Sequence, residues 1–327
     1  DGNHDLTTTA TDAAGNTGAV SAALAVTVDT AAPAVSVDSL GSNDTTPPLT
    51  GTIDDANAVI SVSVDGQTNT ATNAGTTWSV ADDVLTALAD ATYDVSVTAT
   101  DPAGNVGSDA TSGELIVDTT APAAPGIPDL DADSDTGSAD DDDITSNTAP
   151  TLAGTAEANS TVELLSAGSV LGTATADSSG NWSITSTVLT EGDHSLTARQ
   201  TDQYGNGPGP ESAAITIGVD TTDPTVPSSL DMFATSDTGS SSSDNNTQVT
   251  TPTLLALADA GTAITLSSSL EGVIGTTTAN SSGIWLVTTT ALSEGDHDLT
   301  ATATDVAGNE SADSNALAVT IDITAPT

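Results

Sequence analysis

Ala99-Thr100-Asp101-Pro102-Ala103-Gly104-Asn105, followed by Leu115-Ile116-Val117-Asp118-Thr119-Thr120-Ala121-Pro122, is the stretch from which the chain is best read. It pairs an Asp-x-x-Gly-Asn turn with an Asp-centred tail about 17 residues later, and the pairing occurs four times. The turns begin at Asp12, Asp101, Asp202 and Asp305, and the tails are centred on Asp29, Asp118, Asp220 and Asp322. Gly in the fourth place followed by Asn suits a tight turn with positive φ. Successive tails lie 89, 102 and 102 residues apart. That period is too long for a solenoid, whose unit is one supersecondary element, and fits a string of ordinary domains.

Short strand-like runs fill the space between these marks. Leu24, Val26 and Val28 alternate, as do Tyr93 to Ala99, which is the period of a half-buried strand. Val35–Val37, Leu49–Ile53, Ala58–Val64, Trp78–Val80 and Glu114–Val117 read as further strands, with a hairpin at Asp65-Gly66 and a short helical turn conceivable over Asp83–Leu88. About seven strands per 100 residues, broken by Gly, Asp and Asn, predict an all-β chain: a tandem array of Ig-like antiparallel β-sandwich domains. The expected boundaries are 1–33 (the last part of a truncated repeat), 34–122, 123–224 and 225–327, the last two carrying an acidic insertion. The chain so read starts inside a longer array.

Trp78, Trp182 and Trp285 hold equal rank in their repeats, and in a chain with 2% aromatic residues they are expected to be core anchors. His4, His194 and His297 fall level with Tyr93, and a position shared with Tyr is structural, not a metal ligand or a base.

Charge and chemistry narrow the function. One basic residue, Arg199, stands against 46 acidic ones, a formal charge of −45. Such a chain has no cations with which to bind nucleic acid phosphates and is repelled by anionic membranes. It has no Cys or Lys, and no Ser, His and carboxylate recur together, so no enzyme is expected. No apolar run approaches a membrane span. Without disulfides, an extracellular array needs another source of rigidity, and metal is the natural one.

Calcium takes six to eight hard oxygens from flexible loops, and three carboxylate sets recur that would supply them. They are the turn residues Asp12, Asp101, Asp202 and Asp305, and the tail residues Asp29, Asp118, Asp220 and Asp322. The third set is an insertion, Ser134-Asp135-Thr136-Gly137-Ser138 with Asp140–Asp143, echoed by Ser236-Asp237-Thr238-Gly239-Ser240 with Asp244. Each tail is expected at a junction with the next repeat, near its Asp129, Asp131 or Asp231, where crowded carboxylates would repel without a cation. Against this stand metal-free readings: an Asx turn, a solvated linker carboxylate and a solvated acidic loop. Whether a turn meets its own tail stays open at this level.

The Thr-Ala-Thr-Asp-x-Ala-Gly-Asn run, the Val-Asp-Thr-Thr-Ala-Pro tail and the Ser-Asp-Thr-Gly-Ser insertion resemble the bacterial Ig-like tandem repeats of giant secreted Gram-negative adhesins, including those with RTX-type calcium-binding repeats at their far end. The resemblance implies a cell-surface extender, secreted by a type I system, stiffened by calcium at domain junctions and holding adhesive domains away from the cell, as in biofilm adhesion. It implies ligation by the turn and tail aspartates and by Asp135, Asp142, Asp237 and Asp244, with Asp131 close to a junction. Calcium ions and neighbouring repeats are the expected partners, and the chain is expected to be monomeric. Residues 34–122 lack the acidic insertion and offer only Asp38, Asn43 and Asp44, so the junction near residue 33 is expected to hold fewer ions or none. The competing readings are a module that binds carbohydrate, ice or another surface, and a homotypic adhesion module.

Overall fold

Regular alternation of apolar and polar residues along short segments leaves a sheet as the only way to bury one side of each. The computed structural model describes residues 1–325; Pro326, which closes the last tail, lies outside them. The described residues form strands and turns, and no helix is long and apolar enough to cross a membrane. They divide into two compact units: residues 1–122 with 201–209, and residues 123–200 with 210 onward.

In the first unit, one sheet runs Val106–Ser108, Val95–Thr100, Val59–Val64, Gln67–Thr70 in spatial order. Two three-stranded sheets accompany it: Leu40–Ser42, Leu115–Val117, Ala91–Tyr93, and Leu49–Thr52, Thr77–Val80, Thr72–Asn73. Val95, Val97 and Ala99 point inward along their strand and meet Ile60, Val62, Leu115 and Trp78 in one core. The Asp65-Gly66 hairpin forms as expected, with φ of 48° and 74°, the left-handed pair that matches strand twist. Two expectations need correction. The run Tyr93–Ala99 is interrupted at Asp94, because two carboxylates take the place of ladder bonds: Gly113 N–H donates to Asp94 Oδ1 at 2.7 Å and Val95 N–H to Glu114 Oε2 at 3.0 Å. Asp83–Leu88 forms no helical turn; Asp83 sits at φ 60°, and its amide donates to the Thr46 carbonyl.

The second unit holds two sandwiches built alike. Each has a five-stranded sheet, ordered Ile144–Thr145, Ile215–Val219, Gly192–Thr201, Thr161–Ser166, Ser169–Thr175 in one and Asn246–Thr247, Leu317–Ile321, Gly295–Thr304, Ala263–Ser268, Gly272–Thr278 in the other. Each faces a three-stranded sheet, and each has its own apolar core. One pair in each sheet is parallel, not antiparallel: Thr145 sits beside Val219 and Thr247 beside Ile321, as Ser42 sits beside Val117 in the first unit. This parallel pair sets a repeat's early loop against its own tail.

All three tryptophans are core anchors, at most 4% exposed. A small residue faces each across the ladder: Gly51, Gly154 and Ala256. At Gly51 a Cβ would come within 1.9 Å of the Ser36 carbonyl, the same oxygen that accepts from Trp78 Nε1 at 2.8 Å. Residues 1–33 form the hairpin Gly2–Leu6 and Leu24–Val28, with Leu6 and Leu24 more than half exposed and no core of their own.

Candidate functional site

An Asp side chain is short enough to accept bonds from backbone N–H groups two and four residues ahead, which is why Asp-x-x-Gly-Asn closes on itself. In all four turns the Asp Oδ1 accepts from the Asn N–H and Oδ2 from the Asn Nδ2, at 2.7–2.9 Å. The four glycines take φ of 88–95°. Hydrogen bonds from Asn16 and Asn105 hold the Asp12 and Asp101 carboxyls below the ordinary range. Both oxygens of each turn carboxylate are therefore committed to its own loop.

The second Nδ2 proton of the Asn does something the sequence does not announce. Asn105 donates to the carbonyl of Asp29 at 3.1 Å, Asn206 to that of Asp118 at 2.7 Å, and Asn309 to that of Asp220 at 2.9 Å. Each turn thus clasps the tail that precedes it by 76, 88 or 89 residues, not the tail that follows it.

The tail is fixed from its own side as well. Asp118 N–H donates to Ser42, Asp220 N–H to Thr145 and Asp322 N–H to Thr247, all to carbonyls of the early loop. An acidic residue grips the tail threonines: Asp1 holds Thr30, Asp90 holds Thr119 and Thr120, Glu191 holds Thr221 and Thr222, and Glu294 holds Thr324. This set was missed in the carboxylate inventory. Its signal is an acidic residue three positions before the shared His or Tyr: Asp1/His4, Asp90/Tyr93, Glu191/His194, Glu294/His297. The His/Tyr position itself is structural where it is packed. Tyr93 Oη donates to the Ala89 carbonyl, while His194 and His297 Nε2 bond the carbonyls of Thr190 and Ser293, each four residues back. His4 pairs with Val26 in the matching register but is exposed, having no second sheet to pack on. His297 is fully buried, with Nδ1 3.0 Å from both Ser268 Oγ and Glu271 Oε2. That trio is confined to one repeat.

In the second unit the Ser134–Ser138 segment packs directly on the clasping turn. A Cβ on Gly137 would lie 2.0 Å from the Val306 carbonyl, one on Gly308 would lie 2.9 Å from Gly137 N, and Thr136 Oγ1 donates to the Ala307 carbonyl. In the first unit the corresponding floor is Gly41, whose Cβ would overlap the Tyr204 ring at 2.3 Å.

Beside this contact lies the acidic loop. Asp129, Asp131, Asp135, Asp140, Asp141 and Asp143 line a cleft of about 340 Å³. Asp135 Oδ2 accepts from Asp143 N at 3.3 Å, while its Oδ1 is buried without a partner. Asp237 repeats this, with Oδ2 accepting from Asn245 N at 3.2 Å and Oδ1 buried and unpartnered, as is Asn245 Oδ1. Burial first, then Asp142 and Asp143, pushes the Asp135 carboxyl up; burial, then Asp129, Asp142 and Asp141, does the same to Asp143. Asp142 and Asp244 each accept a backbone N–H two residues ahead, and Asp131 accepts from Asp133 N. The tail carboxylates Asp29, Asp118, Asp220 and Asp322 do likewise through Oδ1.

Among the described residues, no three Asp, Glu, His or Cys side chains close on one point in metal-holding geometry. The arrangement separates the expected ligands. Turn carboxylates are satisfied within their loops and do not fit a cation. Asp135 and Asp237, each with one buried bare oxygen among other hard oxygens, do fit one. A repeat's acidic loop lies against its own tail, not against the tail before it. The tail without an acidic loop beside it is therefore Asp118, in place of the expected junction near residue 33.

Residues 35–119, 121–221 and 224–323 match the bacterial Ig-like domain family, and the chain belongs to that family in three tandem copies. Among curated proteins none matches it. Among solved structures it is similar to a tetra-tandem repeat from the extending region of a large adhesion protein, with 24% identity over 99% of this chain and 82% of that one and a TM-score of 0.29. It is also similar to a structure of a 1.5-MDa bacterial ice-binding adhesin, with 21% identity over 90% and 98% and a TM-score of 0.30. The FN1–FN3 domains of chicken CNTN1 are 10% identical over 89% and 99%, with a TM-score of 0.35. At these TM-scores the likenesses carry no weight beyond their report.

Proposed function

We propose that the chain is a spacer segment of an extracellular bacterial adhesin, one that transmits position and force between other domains and does no chemistry itself. The observation that carries the reading is the clasp, an Asn side chain bonded to the preceding tail at Asp29, Asp118 and Asp220 alike. A linker held by its N–H, its carbonyl and its threonines has little freedom left, which is what a spacer needs. A charge of −45 suits secretion into cation-rich surroundings, where salt and divalent ions screen self-repulsion.

Calcium supplies a second, conditional stiffening in this reading. Asp135 and Asp143 with the neighbouring cleft carboxylates would hold one ion, and Asp237 with Asn245 another; bound there, the ion neutralises carboxylates that repel one another. The remaining turn and tail aspartates act through hydrogen bonds. Affinity is expected at about 10⁻⁴–10⁻³ M, the range of extracellular modules.

Calorimetric titration with calcium tests the ion, and silence up to about 10 mM would remove it from the reading. Small-angle scattering tests the spacer. With calcium removed and both Asn206 and Asn309 replaced by Ala, the ensemble should broaden; an unchanged distribution of dimensions would sink the proposal.

A further inference from the structure

Each clasp needs two parts, a turn that offers an Asn amide and a tail that offers a carbonyl. Three turns and three tails are already joined: Asn105 with Asp29, Asn206 with Asp118, and Asn309 with Asp220. One part of each kind is left over among the described residues. The turn Asp12–Asn16 is exposed throughout and its Nδ2 bonds only Asp12. The tail carbonyl of Asp322 receives no Asn, and beside it opens a groove of about 400 Å³ lined by Thr238, Gly239, Ser240, Asp244, Thr247 and Asp322.

That groove has the form of the joined one. Thr238, Gly239, Thr247 and Asp322 stand where Thr136, Gly137, Thr145 and Asp220 stand in the preceding sandwich. Thr247 Oγ1 donates to the Ser236 carbonyl as Thr145 does to Ser134, at 2.6 and 2.5 Å. Gly239 has φ of 112° against 107° for Gly137, but a Cβ there would meet nothing within 4 Å. The turn matches in its own way. Gly15 and Gly308 have φ of 90° and 88°, and both turns carry Ala in third place, Ala14 and Ala307. That place decides the fit: a Thr-Gly floor takes Ala307, whereas the Tyr204 ring is seated over Gly41. Another Asp-x-x-Gly-Asn turn, Asp177–Asn181, is not available, because its Gly180 packs within 2.4 Å of the Ala156 carbonyl and bonds Ala156 N.

We propose that the groove at Thr238, Gly239, Thr247 and Asp322 is a docking socket for the Asp12–Asn16 turn of a second copy of this chain, so that copies join head to tail. Asn16 Nδ2 then bonds the Asp322 carbonyl, and Thr238 Oγ1 donates to the Ala14 carbonyl. The contact is heterologous and does not close on itself, so it propagates. It is small, and two chains of charge −45 repel, so the dissociation constant is expected at about 1 mM, reached in roughly 0.5 M salt where the screening length is a few ångström. None of this depends on calcium or on an adhesin role.

Sedimentation equilibrium of the full chain in EDTA, between about 0.02 and 2 mM, measures it. The weight-average mass should rise with concentration. Asn16→Ala and Gly239→Ala should each stay monomeric, with unchanged circular dichroism showing that the fold is intact. An equimolar mixture of the two variants should form dimers and stop there, because it contains one sound turn and one sound socket per pair. A wild-type mass that stays flat overturns the proposal. So does association that survives in either variant, or a mixture that remains monomeric.

Discussion

Replacing Gly137 by Ala places a methyl group 2.0 Å from the Val306 carbonyl oxygen, where about 3.4 Å is the closest comfortable approach. Backbone must therefore part by over an ångström, and the two bonds that depend on that approach go with it: Thr136 Oγ1 to the Ala307 carbonyl, and Asn309 Nδ2 to the Asp220 carbonyl at 2.9 Å. At about 0.5–1.5 kcal/mol each, their loss costs about 1–3 kcal/mol. Ala at φ near 107° adds about 1–2 kcal/mol of its own. Gly239→Ala is the built-in control. It has the same motif and nearly the same φ, 112°, with open space in front of it, so it carries only the backbone share. The expected losses are about 2–5 kcal/mol for Gly137→Ala and about 1–2 kcal/mol for Gly239→Ala. Thermal unfolding reads the difference, since 1 kcal/mol moves the midpoint of a domain this size by about 4–8 °C. Hydrogen exchange of the Asn309 side-chain amide reports clasp opening directly. Equal losses in the two variants, or unchanged exchange at Asn309 in Gly137→Ala, would refute the clasp as an energetic unit.

Three further outcomes follow from the same geometry. Because the Asp135 carboxyl is raised, its ionisation destabilises the fold, so this loop is most stable in mild acid and loses stability as pH rises through the raised value; Asp135→Asn should raise the midpoint in EDTA near pH 7, flatten that pH dependence, and forfeit any calcium-induced gain in scanning fluorimetry. Glu271 runs the other way: bonds from the Ser293 hydroxyl and N–H, then Ser268 and His297, hold it at about 2. Its stabilisation is present above an ordinary value of 4.5 and lost as pH falls through about 2, so wild type and Glu271→Gln should differ near neutrality and converge at the acid end in a circular dichroism titration. Trp78→Phe should cost about 1–2 kcal/mol more than Trp182→Phe in denaturant midpoints, because it breaks the bond to Ser36, whereas Trp182 Nε1 is buried without an acceptor.

The sandwich was legible because its signals are local. Alternation in Val95–Thr100, left-handed turns at Asp65-Gly66 and equal rank of the three tryptophans each follow from the period of a strand or the volume of a core. What could not be read was pairing across distance. Nothing in Asn206 announces that its partner is a carbonyl 88 residues earlier, since a backbone carbonyl has no sequence identity. The parallel pairs that put Thr145 beside Val219 and Thr247 beside Ile321 left no trace either, and they are why acidic loops face their own tails. The acidic grip on the tail threonines was legible in principle, being three residues ahead of each shared His or Tyr. It was passed over because a lone Glu before a Gly reads as solvated surface.

Asp177–Asn181 shows what selects the clasp. It is a fifth Asp-x-x-Gly-Asn, and its Asp177 Oδ1 accepts from the Asn181 N–H at 2.9 Å as the others do. Hydrogen bonds from Asn181 and Ser179 keep its carboxyl below the ordinary range, the same response seen at Asp12 and Asp101. Yet it clasps no tail, because it caps a hairpin packed on Ala156. The five residues therefore encode a turn and a free amide, and no more. Docking is decided by the surface that the turn meets, by Gly137 and Thr136 under Ala307 in one case and by Gly41 under Tyr204 in the other. A repeat with a Thr-Gly floor excludes a Tyr-bearing turn by volume, since the space beneath Ala307 is closed at 2.0 Å by a single added carbon. Order along such an array is then written in two residues per joint, and the carboxylates crowding the joint set its stiffness without setting its partner.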